Sequence, residues 1–138
     1  MTENSLHLRL PPETASVTTL LDALEAYTEA RELPIKLASR LMLVADELTA
    51  NVVMHSAGAS FLQADVVHEG DLVRFILTDD GPEFDPLGRG VPNTNGGVEE
   101  REVGGLGMHF VERLAAQASY RREDDRNILT ITLDARAD

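Results

Sequence analysis

Glu47, Asn51 and His55 stand four residues apart in "VADELTANVVMH" (Val44–His55), inside an otherwise apolar segment. On a helix that spacing puts the three side chains on one face. A carboxylate there can serve as general base, taking a proton from water or a hydroxyl. The asparagine offers a hard carbonyl oxygen of the kind magnesium accepts. The plainer reading is a solvated stripe on an amphipathic helix, and His55 suits either a helix cap or an approach to phosphate.

Two further stretches carry chemistry. "VGGLGMHF" (Val103–Phe110) places glycines at the start of a helical pattern. Glycines bring backbone close to a ligand, and a helix start offers unpaired N–H groups and partial positive charge, so the combination suits phosphate. No Gly-Lys-Ser/Thr follows, which excludes a Walker loop. "TDDGPEFDP" (Thr78–Pro86) leaves the end of a strand pattern. A carboxylate held there accepts hydrogen bonds only, as from the exocyclic amine of adenine. Gly81 would let a flat base lie against the backbone, although Asp-Gly is also an ordinary turn. Together the three stretches would meet the needs of phosphoryl transfer: a metal on the phosphates, an oriented nucleophile and exclusion of water.

The elements that must hold these residues follow from periodicity. "SLHLRL" (Ser5–Leu10) alternates as a strand with Leu6, Leu8 and Leu10 inward. "PPE" then opens a helix with proline in its first turn. Val17, Leu20, Leu21, Leu24 and Tyr27 form its apolar stripe, and Pro34 ends it. Leu37, Leu41, Val44, Leu48 and Val52 mark a second helix from about Ile35 to His55. "SAGA" is a turn, and the next two strands form a hairpin with Glu69–Asp71 at its tip. A glycine- and proline-rich loop runs from Asp79 to Gly105, long enough to suggest a lid. A helix over Leu106–Gln117, with Met108, Val111, Leu114 and Ala115 inward, precedes a final hairpin carrying Leu129, Ile131 and Leu133 on one face. The order β-α-α-β-β-loop-α-β-β predicts an α+β two-layer sandwich: a mixed, mostly antiparallel sheet with helices over one face.

Length and composition set the outer limits. A chain of 138 residues, 43% hydrophobic, suits one domain over 1–138 with one core. No apolar run reaches the ~20 residues of a membrane span, and the N-terminus lacks the pattern of a secretory signal. With no cysteine there is no disulfide framework and no thiolate metal site. A net charge of −12 argues against nucleic-acid binding. Arg121, Arg122 and Arg126, interrupted by Glu123, Asp124 and Asp125, read as a solvated turn. His7 and His68 fall on strands, with outer-face positions expected. A cytoplasmic protein with no membrane association is the expectation.

"DELTANVVMH", "DDGPEFDP" and "GGLGMHFVERL", in that order, resemble the N, G1 and G2 boxes of the GHKL ATPase superfamily, which includes gyrase, histidine kinases and a heat-shock chaperone. At this chain length they look most like the small anti-sigma-factor serine/threonine kinases of the RsbW and SpoIIAB type. The resemblance implies a Bergerat α/β sandwich, with ATP and magnesium as cofactors. It implies Glu47 as catalytic base and Asn51 as magnesium ligand. It assigns Asp79 to the adenine amine, with Gly81 as the next G1 position, and Gly104, Gly105, Leu106 and Gly107 to the phosphates. The implied partner is an anti-anti-sigma protein of the STAS fold, phosphorylated on serine or threonine, with a sigma factor as a further partner and a homodimer left open. Two departures bear on transfer. Glu83 stands where many members carry a second glycine, and Val103 stands where some sigma-regulating kinases carry an arginine, with Arg101 close by. An ATP-holding module that sequesters its partner with little or no phosphotransfer is therefore the alternative reading.

Overall fold

Alternation decides the sheet. The computed structural model describes residues 5–87 and 106–136. The elements run β1 (Ser5–Leu10), α1 (Thr14–Ala30), α2 (Ile35–His55), β2 (Leu62–Glu69), β3 (Leu72–Asp79), α3 (Leu106–Leu114), β4 (Gln117–Glu123) and β5 (Arg126–Asp134). This is the order expected from the sequence. The five strands form one sheet in the order β1-β2-β3-β5-β4. Every pair is antiparallel, where a mixed sheet was expected. The hairpins β2–β3 and β4–β5 are sequence neighbours, and β5 inserts between β3 and β4, so no parallel pairing is needed.

Residues directly opposite across strands share a face. Leu62, Ala64 and Val66 of β2, Val73, Phe75 and Leu77 of β3, and Leu129, Ile131 and Leu133 of β5 are all buried on the inner face. Onto them pack Leu20, Leu24 and Tyr27 of α1, Leu37, Leu41, Val44, Leu48 and Val52 of α2, and Val111 of α3. Truncating one of these leucines to alanine would cost about 2–5 kcal/mol. The predicted inward residues of β1 are half-buried, as suits an edge strand.

Three local expectations change. Pro11 and Pro12 precede α1 instead of entering its first turn: the Pro11 carbonyl accepts from Glu13 N–H and from Ser16 Oγ, and the helix starts at Thr14. The last helix stops at Leu114, not Gln117, because Ala116 N–H donates to the Thr132 carbonyl at 2.8 Å and commits the chain to the sheet. His68 faces inward, opposite the buried Val73, and accepts at Nδ1 from the Arg31 guanidinium. His7 lies on the outer face beside Asp65, as expected.

Turn chemistry sets the register at the site. Asp124 and Asp125 both adopt left-handed φ (54° and 62°), the mirror-image turn that suits a two-residue hairpin. It pairs Glu123 with Arg126 and so sets Arg122 opposite Asn127. Asn127 in turn pairs with Asp79, and Asp79 with Leu62. One row across the sheet thus carries Leu62, Asp79, Asn127 and Arg122.

Candidate nucleotide site

That row and the next one, Ala64-Leu77-Leu129-Tyr120, end under the C-terminal half of α2. Between them lies a small pocket. Leu48, Asn51 and Val52 of α2 form one wall, Leu77, Asp79, Leu129, Asn127 and Tyr120 the sheet side, and Phe84 and Pro86 a third side. Its lining is mostly apolar, with polar groups at a few points.

Asp79 is 4% exposed. Its Oδ1 accepts from Gly81 N–H at 2.8 Å and from Asn127 Nδ2 at 3.0 Å. No described residue donates to its Oδ2. Thr49 Oγ1 is the one fully buried side-chain oxygen without a partner among the described residues, so Asp79 Oδ2 keeps access to the pocket and stands as an acceptor for a donor that enters it. The residue beside it acts differently. Asp80 accepts from the backbone N–H groups of Ser60 and Phe61 and from Ser60 Oγ. The Ser60 hydroxyl is the first reason its carboxyl is lowered from its usual value. Of the two aspartates in "TDDG", one faces the pocket and the other pins the α2–β2 connection.

Gly81 is buried for an intramolecular reason. A Cβ there would lie 2.8 Å from Ser56 Cβ and 3.0 Å from Asp79 Oδ1. The expected close approach exists, but its partner is the end of α2. The 80–87 segment that follows is held in place: Asn127 Oδ1 accepts from Phe84 N–H at 3.1 Å, Arg122 Nη1 donates to the Gly81 carbonyl at 2.9 Å, and Leu87 N–H donates to Asp85 Oδ1. Phe84 stacks on His55, ring centroids 4.5 Å apart, so His55 covers the segment next to the pocket instead of capping its helix. Glu83 is exposed and does not line the pocket.

Along α2, Asn51 is buried and lines the pocket, while Glu47 is half-buried one turn back. Asn51 Nδ2 donates to Glu47 Oε2 at 3.3 Å, which leaves the Asn51 carbonyl oxygen available to a cation. Burial pushes the Glu47 carboxyl up from its ordinary value; the Asp46 charge adds to the rise and the Asn51 hydrogen bond opposes it. Leu106 and Gly107 open α3, which packs on α2. Val103, Gly104, Gly105, Arg101 and, of the loop expected from Asp79 to Gly105, everything over 88–105 lie outside the described residues.

Three residues of the site were not singled out by the sequence: Asn127, Tyr120 and Arg122. Tyr120 OH donates to Asn127 Oδ1 at 2.6 Å, and burial pushes its phenol up, which keeps it a neutral donor. Arg122, read as part of a solvated turn, reaches inward to Gly81 and Asn127, whereas Arg121 pairs with Glu123 on the surface. Arg126 lies over the Phe61 ring. The available signal was Asn127 itself, a polar residue in phase with Leu129, Ile131 and Leu133.

Comparison with solved structures gives a chain of the SiaB–SiaC complex from Pseudomonas aeruginosa, similar in fold with a TM-score of 0.55 at 16% identity, over 95% of this chain and 91% of that one. No curated protein matches. The pattern described as the histidine kinase-like ATPase domain matches residues 10–133, spanning the α2 stripe, the Asp79 strand end and the closing hairpin alike. The chain belongs to the histidine kinase-like ATPase domain family.

Proposed function

We propose that this protein binds ATP between α2 and the Asp79 end of the sheet, and that it acts as a protein serine/threonine kinase and anti-sigma regulatory factor on a STAS-fold partner. The observation that carries the reading is the open Oδ2 of buried Asp79 in a pocket walled by Leu48, Val52, Leu77, Phe84 and Leu129. A flat base with an exocyclic amine would match the chemistry of the apolar walls and of the acceptor; the cavity, about 10 Å³ as it stands, has to widen to admit it. The Asn51 carbonyl oxygen would hold magnesium together with phosphate oxygens; among the described residues no acidic or histidine cluster could hold the ion alone. Magnesium, when bound, neutralises phosphate charge.

Glu47 then has the role of general base. Its raised pKa brings it nearer the operating pH, where proton uptake from a serine or threonine hydroxyl is most effective. Asn51 holds its carboxylate in one orientation. Gly104, Gly105, Leu106 and Gly107 have the role of binding the phosphates; of these, Leu106 and Gly107 open α3. Support for a protein partner comes from the fold likeness to a chain solved in the SiaB–SiaC complex.

Incubation with labelled ATP, magnesium and a STAS-domain protein tests the reading. Label on a serine or threonine of that protein supports the kinase. Retained ATP and partner without label supports the sequestering module. Failure to bind ATP overturns both.

A further inference from the structure

The Asn127 carboxamide is 5% exposed and makes five hydrogen bonds. Nδ2 donates to Asp79 Oδ1 at 3.0 Å and to the Pro82 carbonyl at 2.8 Å. Oδ1 accepts from Phe84 N–H, Tyr120 OH and Arg122 Nη1. Turned end for end, the amide would set its oxygen against a carboxylate and a carbonyl, and its NH₂ against three donors. The orientation is therefore determined, and both N–H groups are spent. Nothing remains with which Asn127 could read a ligand directly.

We propose that Asn127 is a positioning residue that sets the base selectivity of the pocket. It occupies Asp79 Oδ1 jointly with Gly81 N–H, so that Oδ2 alone is presented to the ligand, and its bonds to the Pro82 carbonyl and Phe84 N–H fix the segment that brings Phe84 to the pocket. The ligand class this arrangement selects is a purine nucleotide with an exocyclic amine at position 6; one with a carbonyl there is rejected. The inference rests on the nucleotide reading above and adds the residue that enforces it.

The test measures ADP and IDP binding by calorimetry, and amide exchange at Gly81 and Phe84 without nucleotide, for the full chain and for Asn127→Ala and Asn127→Asp. Asn127→Ala should lose about 10–100-fold in ADP affinity, the scale of hydrogen bonds to a charged group, and most of its preference for ADP over IDP. Its Gly81 and Phe84 amides should exchange faster. Asn127→Asp sets an introduced carboxylate against Asp79, a like charge that favours its protonation; once protonated, the introduced carboxyl donates to Asp79 as the amide did. Its ADP deficit relative to the unaltered protein should therefore shrink from about pH 8 to about pH 6, while that of Asn127→Ala stays constant. Tyr120 and Arg122 are the other ionisable groups bonded to Asn127, and burial pushes the Tyr120 phenol up. An Asn127→Ala protein that still prefers ADP as strongly as the unaltered chain overturns the proposal. If Asn127→Ala does not fold, an Asn127→Asp deficit that ignores pH overturns it. If the unaltered chain binds neither nucleotide, the nucleotide reading itself fails, and the selectivity role with it; the exchange rates then report only whether Asn127 holds the wall.

Discussion

Asn51 Nδ2 donates to Glu47 Oε2 across one turn of α2, so the candidate metal ligand and the candidate base are hydrogen-bonded to each other. They should nevertheless fail differently. Glu47→Gln keeps an acceptor for Asn51 and removes the base. ATP affinity should stay nearly intact while phosphorylation of the partner falls by about 10²–10⁴-fold. Asn51→Ala removes a carbonyl ligand, so affinity and transfer should fall together and the magnesium dependence of binding should weaken. Transfer at the unaltered rate by Glu47→Gln would mean that the stripe holds no base.

The same carboxylate should be visible in stability. Its folded pKa is raised, so between the unfolded and folded values the native state holds more protons than the unfolded chain. Stability from this group is fully present below the unfolded pKa and is lost as pH rises through the folded one. Glu47→Gln escapes that loss. Its unfolding midpoint should lie above that of the unaltered protein at neutral pH, and the gap should narrow on acidification toward the ordinary carboxylate range. A gap that does not change with pH would assign the effect to something other than ionisation.

Asp79→Asn tests the acceptor. Two donors, Gly81 N–H and Asn127 Nδ2, meet the side chain at Oδ1. They force the new amide to place its oxygen there and its NH₂ where Oδ2 was. ATP affinity should fall by roughly 1–3 kcal/mol, the cost of facing a donor with a donor. GTP, poorly bound by the unaltered chain, should gain relative to ATP. Equal calorimetric affinities of the unaltered protein for ATP and GTP would remove Asp79 from base recognition.

Gly81→Ala tests packing. The added Cβ meets the Ser56 Cβ at 2.8 Å and its Cα at 3.1 Å, and neither is the tip of a flexible chain. Overpacking of this kind costs about 1–3 kcal/mol. A lowered unfolding midpoint is expected even without nucleotide. A midpoint equal to that of the unaltered protein would show that the end of α2 gives way freely.

The sequence by itself determined the elements and one face of each. Leu37, Leu41, Val44, Leu48 and Val52 repeat at the helical period and are all buried; Leu129, Ile131 and Leu133 alternate and are buried likewise. Glu47 and Asn51 were legible as a pair because a helix makes residues four apart neighbours. These signals are local, and local geometry is what a period encodes. The tertiary structure alone decided who meets whom across strands. Asn127 bonds to Asp79, 48 residues away, because β5 inserts between β3 and β4 and the Asp124–Asp125 turn sets the register. A shift of one residue would have turned Asn127, Tyr120 and Arg122 to the other face. The same holds for His55 on Phe84, for Gly81 against Ser56 and for His68 under Arg31. Each is a contact between segments whose separation carries no period, made only when the helices settle on the sheet and bury its inner face.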